Sequence, residues 1–308
     1  MPRVVIVGDR NSGKTTFLGL LYTAQVKSGS DKADDFRFHA TFESLDEITG
    51  VFQRLMSGSF PDAATKEGVH EVAFRLGYRR PGRRILSGLR SQGWASGEFA
   101  SFHLILLRNL ENQSSGSRGG TAEANATLIE ALASDAIVIM VDAKNLARTD
   151  EDLQQPPMAD YDFEVDSLLT AIRRSRAHGD RKLPHPIFLF SKFDRVEPEA
   201  LRVAKVEGAP PVANKTGPRG AYARALLGRN LPKTLARIRS REDRGPRFPE
   251  PSYFFSWVRT EEAIPGRAER VRLRRRGAVA WEPDYSSDEY LAFLECLSDI
   301  AANAKDSN

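Results

Sequence analysis

The chain has 308 residues, 41% of them hydrophobic and 9% aromatic, with 45 Lys/Arg against 41 Asp/Glu for a formal net charge of +4. That balance excludes a disordered or collagen-like chain, and no apolar run approaches the roughly 18 residues a membrane-spanning helix needs. A single cysteine, Cys296, excludes an internal disulfide framework, and its place in an apolar helical pattern reads as a small core residue.

The first element is the β-branched run Val4-Val5-Ile6-Val7, which meets Gly8-Asp9-Arg10-Asn11-Ser12-Gly13-Lys14-Thr15-Thr16 and then a helical pattern at Phe17, Leu18, Leu20 and Leu21. Gly8, Gly13, Lys14 and Thr15 match G-x-x-x-x-G-K-[ST], a phosphate-binding loop in its proper context of strand before and helix after. Glycines let backbone N–H groups converge on phosphate oxygens, the helix amino terminus adds partial positive charge, and Lys14 adds a full one. The Thr15 hydroxyl suits Mg²⁺. With a motif starting at Gly8, no cleavable leader is expected ahead of it, which gives an expectation of a cytoplasmic location.

Residues 26–35 read as a polar connection, and a helix follows with Phe42, Leu45, Ile48, Phe52, Leu55 and Met56 on one face, closing at Gly58. Pro61 and the flanking glycines make 58–68 an irregular segment, a candidate switch loop. Val69 to Tyr78 alternates as a strand, 79–97 is glycine-rich and basic, and Phe99 to Leu107 is nearly continuously apolar, as in a strand covered on both faces. A glycine- and serine-rich loop and an alanine-rich helix from Thr121 to Ala133 lead to Ala136–Asp142, the clearest buried strand. Val165, Leu168, Leu169 and Ile172 mark another helix, and Pro186–Phe190 another buried strand ending in Ser191-Lys192-Phe193-Asp194.

Beyond it, Ala221 to Arg241 reads as one basic helix, with Leu226, Leu227, Leu231, Leu235 and Ile238 as its apolar stripe. Tyr253 to Val258 is the last core strand, and a closing helix carries Tyr290, Phe293, Leu294, Leu297 and Ile300. Repeated alternation of strand and helix predicts an α/β fold, a mostly parallel sheet flanked by helices. One domain over 1–308 is expected, with a helical insertion at 197–251 and a basic arm or hairpin at 259–280.

The phosphate loop and Ser191-Lys192-Phe193-Asp194 together resemble the Ras-like P-loop GTPases of the TRAFAC class, whose base-reading [NT]-K-x-D motif follows a buried strand. The resemblance runs in order over about residues 3 to 258. It implies GTP or GDP as ligand, Mg²⁺ as cofactor and a protein effector or regulator as partner. Asp194 would accept from the guanine N1 and 2-amino groups, and the stem of Lys192 would pack on the ring; Ser191 replaces the usual Asn or Thr and keeps a hydroxyl. Adenine lacks those donors, and an unmatched carboxylate in the pocket is costly, so guanine is selected. Gly8, Asp9, Asn11, Ser12, Gly13, Lys14, Thr15 and Thr16 would line the phosphate end, and Ser256 and Trp257 the base end. Thr65 is chosen as the switch threonine that joins Thr15 on Mg²⁺, with Thr41 second. Arg10 is read as a charge-stabilising arginine near the γ-phosphate, as an obstruction to water, or as exposed. Asn11 matches the asparagine of potassium-dependent members, and it is also a good loop former. Leu55-x-x-Gly58-x-Phe60-Pro61 before Thr65, and Gly13–Leu18 with Leu21-Tyr22, resemble the prokaryotic double-GTPase group.

One departure bears on catalysis. Where the family has D-x-x-G after the third strand, this chain has Arg108-Asn109-Leu110-Glu111. Either Glu111 or Asn109 substitutes, or GTP is bound and hydrolysed poorly. Asp142, which could pose as a Walker-B carboxylate, is read as ordinary in this layout.

Charge is uneven: residues 219–276 hold 16 Lys/Arg and 6 Asp/Glu, so the remainder is acidic. Nucleic acid and anionic membrane stay open as partners of Arg267–Arg276. The preferred reading is an arginine-guarded strand edge with Val271 and Leu273 interleaved.

Overall fold

The structure is a computed structural model, and it describes residues 2–9, 11–27, 36–40, 42–61, 70–78, 99–106, 128–154, 156–177, 181–213, 216–240, 246–261, 264–266, 268–276 and 280–305. Strands β1 (Arg3–Val7), β2 (Phe36–Ala40), β3 (His70–Tyr78), β4 (Phe99–Leu106), β5 (Ala136–Asp142), β6 (His185–Ser191) and β7 (Ser252–Phe255) form one sheet in the order β2-β3-β4-β1-β5-β6-β7. From β4 through β7 every neighbouring pair is parallel, whereas β3 is antiparallel to both β4 and β2. The expected α/β architecture, a mostly parallel sheet flanked by helices, is therefore present.

Two-residue periodicity sorts the central strand onto two cores. Val4 and Ile6 face one side with Val138, Met140, Leu189 and Phe254, and that side is covered by helices α1 (Lys14–Lys27), α2 (Phe42–Met56) and α7 (Ser287–Lys305). Val5 and Val7 face the other with Ile137, Val141, Phe188 and Phe255, against α3 (Ala159–Arg176), α5 (Thr216–Asn230) and α6 (Pro232–Arg239). A short helix α4 (Pro198–Val203) precedes α5. Each fully buried aliphatic or phenyl side chain in these layers contributes roughly 1.5–3 kcal/mol relative to exposure.

The helices carry readable termini. In α3, Asp160 and Asp162 occupy the first turn and Arg173, Arg174 and Arg176 the last, each sign placed against the complementary end of the helix dipole. Helix α7 opens with Asp288 and Glu289.

Two expectations change. Residues 36–40 form the edge strand β2, which the sequence reading passed over although Phe-Arg-Phe-His-Ala alternates; five residues between a loop and a strongly periodic helix carry little weight. The single basic helix expected over 221–241 is two, α5 and α6, because Pro232 cannot donate a helical hydrogen bond and instead begins α6. The stripe survives the break, with Leu226, Leu227, Leu231, Leu235 and Ile238 all buried.

The region expected as a basic arm or hairpin holds a hairpin, packed against the rest of the fold. Strands β8 (Leu273–Arg276) and β9 (Ala280–Pro283) form an antiparallel hairpin. Before it, Val271 is fully buried, and its N–H donates to the Gly58 carbonyl at 2.9 Å. Arg274 bonds Glu282 at 3.0 Å and lies 3.9 Å from Asp284, and Arg270 donates to the Ser57 carbonyl. Such pairing agrees with a guarded strand edge. Helical residues 128–133 are the described part of the alanine-rich helix expected from Thr121.

Gly19 marks where α1 crosses α2. A Cβ there would stand 2.5 Å from Val51 Cγ1 and 2.6 Å from Leu55 Cδ1, distances real side chains do not tolerate. Gly19→Ala, although it installs the better helix former, is expected to lower stability by about 1–3 kcal/mol in urea unfolding, because overpacking outweighs the gain in propensity.

Candidate functional site

Strand β1 ends at Val7, and the turn from Gly8 to Gly13 delivers the chain into α1. Ser12 N–H donates to the Asp9 carbonyl at 3.2 Å, and Phe17 N–H to the Gly13 carbonyl at 2.8 Å, which fixes where the helix begins. First-turn N–H groups point out of a helix amino terminus, and here they belong to residues 14–16. Two residues take left-handed backbone, Asn11 at φ 65° and Gly13 at φ 89°. Asparagine tolerates that region and glycine has no Cβ to clash, so the loop-former reading of Asn11 has a direct backbone cause. Gly8 is held small by its surroundings: a Cβ would fall 2.8 Å from Ser12 Oγ and 2.9 Å from Met140 Cβ.

Lys14 reaches back across this turn. Its ammonium donates to the carbonyls of Gly8 at 2.6 Å and Asp9 at 2.7 Å and to Ser12 Oγ at 3.2 Å. A full positive charge is thereby held across the Gly8–Gly13 turn at a helix amino terminus, an arrangement suited to a polyphosphate. Thr15 and Thr16 lie half-buried in the first turn of α1.

Beneath the loop, Tyr161 from α3 ties two strand ends together. Its buried hydroxyl donates to the Met140 carbonyl at 2.9 Å and lies 3.5 Å from that of Val7. Burial, with the nearby Asp9 and Glu164 charges adding to it, pushes the phenol well above its ordinary value, so it stays a donor.

The second half of the site comes from β6. Ser191 is buried, and its hydroxyl lies 3.4 Å from the Val141 carbonyl. Lys192 takes left-handed backbone at φ 52°, and a turn over Phe193–Arg195 follows. Phe193 anchors this turn, packing edge-on against Phe255 at 4.8 Å between centroids and donating its N–H to the Ser256 carbonyl at 3.1 Å. Ser256 N–H donates in turn to the Phe190 carbonyl at 2.7 Å, and its hydroxyl sits 2.7 Å from Tyr290 OH. The structure thus brings Ser256 beside the Lys192–Asp194 turn, with Trp257 next in the chain and Arg259 placed 5.8 Å from its ring centroid.

Asp194 has a side chain 18% exposed, with Arg195 Nε 4.0 Å away. Desolvation raises its carboxyl above the usual aspartate value, an effect Arg195 opposes. Arg195 is in turn paired with Glu269, so the segment that also grips Gly58 reaches the neighbour of Asp194.

The two halves meet. A Cβ placed on Gly13 would lie 4.0 Å from Ser191 Cβ, which sets the phosphate loop directly against Ser191-Lys192-Phe193-Asp194. Two residues that the sequence reading gave no part in the site also prove central: Tyr161, and Asp142, whose carboxylate pairs with Lys192 at 2.5 Å. An aspartate closing an all-apolar strand is a visible signal for Asp142, but its partner 50 residues onward is not. Arg10, Thr41 and Thr65, and the Arg108–Glu111 stretch, lie outside the described residues. Cys296 is half-buried and its thiol is pushed up to about 11 by burial, in keeping with a packing residue.

Among the described residues no helix is long and apolar enough to cross a membrane. No protein-family model matches the chain, and no curated protein matches it. Among solved structures, the chain is similar to one titled "Signal recognition particle receptor SRb-GTP/SRX complex from Chaetomium thermophilum", at 15% identity over 66% of this chain and 80% of that chain, with a TM-score of 0.31. A likeness so distant leaves the architecture to rest on this chain's own strand order and pairing.

Removing the Tyr161 hydroxyl is expected to leave the Met140 carbonyl short of its donor. Tyr161→Phe should lower stability by about 1 kcal/mol in denaturant titration, with the fold retained by circular dichroism.

Proposed function

We propose that the chain is a guanine-nucleotide-binding switch protein of Ras-like type, which converts GTP and water to GDP and phosphate slowly or with the help of a partner. The observation that supports this reading best is the nearness of Gly13 to Ser191, where a Cβ added to Gly13 would come 4.0 Å from Ser191 Cβ, so that the proposed phosphate cradle and the Lys-x-Asp turn stand side by side. In it, Gly8, Asp9, Asn11, Ser12, Gly13 and Thr16 shape the cradle, Lys14 neutralises phosphate charge, and Lys192 and Asp194 read the base, with Ser256 and Trp257 beside them.

Mg²⁺ would be held by the hydroxyl of Thr15 together with phosphate oxygens, and by Thr65 in the GTP state. The metal supplies charge neutralisation across the phosphates. Thr15 suits that part because it sits in the first turn of α1, directly after the lysine that spans the cradle. Hydrolysis of this kind needs positioning and charge stabilisation more than a general base, and Arg10 is the residue of this chain offered for the latter. Potassium at Asn11 is the additional cation this reading accommodates, and exchanging K⁺ for Na⁺ in the assays below tests it.

A second reading is a nucleotide-binding scaffold that recruits a partner protein without turnover. Arg108-Asn109-Leu110-Glu111, standing where D-x-x-G belongs, favours it. Single-turnover phosphate release separates the two: release above the uncatalysed background supports the switch, and tight GTP binding with none supports the scaffold.

Asp194→Asn exchanges an acceptor for a donor and is expected to reverse base preference from guanine to xanthine nucleotides, read by displacement of a fluorescent diphosphate. If the variant keeps its guanine preference, the base-reading assignment is wrong. Acid should weaken GDP binding as well. Only ionised Asp194 accepts both guanine donors, and its carboxyl is raised by desolvation. The loss on lowering pH should therefore centre above the ordinary aspartate value of 3.8.

A further inference from the structure

The pair between Asp142 and Lys192 is more than a surface salt bridge. Asp142 is the last residue of β5 and stands in register with Ser191, the last residue of β6, so its carboxylate lies at the root of the base-reading turn. One oxygen meets Lys192 Nζ at 2.5 Å, and the other accepts the Lys144 N–H at 3.1 Å. The aspartate side chain is 8% exposed and the lysine 28%. Capping the Ala143–Asn145 turn explains a short polar side chain at 142, and asparagine would serve as well. It does not explain a second oxygen spent on an ammonium.

The other end of Lys192 is fixed too. Its left-handed backbone, unfavourable for a residue with a Cβ, is held by the Arg195 N–H donating to the Lys192 carbonyl at 2.9 Å and by the buried Phe193 that follows. A lysine otherwise has much rotamer freedom to lose when it is ordered against a ligand. Here backbone and head group are both pinned by contacts within the protein itself. We infer that Asp142 is a positioning residue of the base-reading loop, holding the Lys192 side chain by its ammonium in one orientation beside Asp194.

The inference rests on the guanine-site reading and has its own signature. Pre-ordering one long side chain is worth about 3- to 10-fold in affinity. Asp142→Asn keeps the cap and the volume and removes the charge, so GDP should bind about 3- to 10-fold more weakly, while inorganic triphosphate binding at the Lys14 cradle is unchanged. Lys192→Met keeps the stem and removes the ammonium; it should show the same loss alone, and Asp142→Asn added to it should cost nothing further. A cap role alone, which asparagine also fills, predicts instead no loss of GDP affinity from Asp142→Asn in either background, and that result overturns the inference. Should Asp142→Asn fail to fold, Lys192→Met decides alone, since GDP affinity equal to that of the parent chain is incompatible with an anchored lysine. Failure of the wider reading looks different: the unaltered protein would then show no guanine preference, and Asp194→Asn no change of base.

Discussion

Because β1, β5, β6 and β7 run parallel, their carboxyl ends emerge together on one edge of the sheet, and the candidate site is built from the turns that follow them. Val7 leads into the phosphate loop, Asp142 closes β5, Ser191 closes β6, and Ser256 follows β7. Register does the rest. Asp142 opposite Ser191, and Phe190 opposite Phe255, leave the Lys192–Asp194 turn only one place to go, between the phosphate loop and the start of the Ser256–Trp257 segment. Ligands of open parallel sheets bind at such carboxyl edges because the loops there are free to vary on a rigid base.

That rigidity has a cost on the β7 side. Among the described residues the strand has one sheet neighbour, and its outward backbone groups are satisfied by side chains instead: Arg219 donates to the Tyr253 carbonyl at 2.7 Å, and Glu289 accepts the Phe255 N–H at 2.5 Å. Arg219 and Glu289 also pair with each other, and the guanidinium stacks over Phe255 with its carbon 4.8 Å from the ring centroid. Burial works against both charges, lowering the arginine and raising the glutamate, so mutual pairing and the backbone bonds are what make the arrangement tolerable. The same contacts join α5 and α7 across β7, which steadies Ser256 and Tyr290 beside the Lys192–Asp194 turn.

The long, strongly patterned elements were legible in the sequence: the phosphate loop with its strand and helix, the two buried strands β5 and β6, and the stripe of α7. What was not legible depended on distance or on local conflict. The edge strand β2 was hidden by its brevity, and the break at Pro232 by an apolar stripe that continues through it. The pairings of Asp142 with Lys192, Tyr161 with Met140, and Glu269 with Arg195 join residues that only the folded sheet makes neighbours. The hairpin was one of two expected forms of its segment, but its packing belongs to the same class. Its arginines read as a run of charge, and only their acidic partners at Glu282 and Asp284 turn the run into a structured edge.

The proposed site binds phosphate through residues 8–16 and selects guanine through Lys192 and Asp194. Equilibrium competition on the unaltered protein tests it most directly, with labelled GDP displaced by unlabelled GTP, GDP or ATP in the presence of Mg²⁺. Displacement by GTP and GDP at concentrations at least a hundredfold below those needed for ATP is the predicted result. Equal displacement by ATP, or preference for it, would contradict the claim.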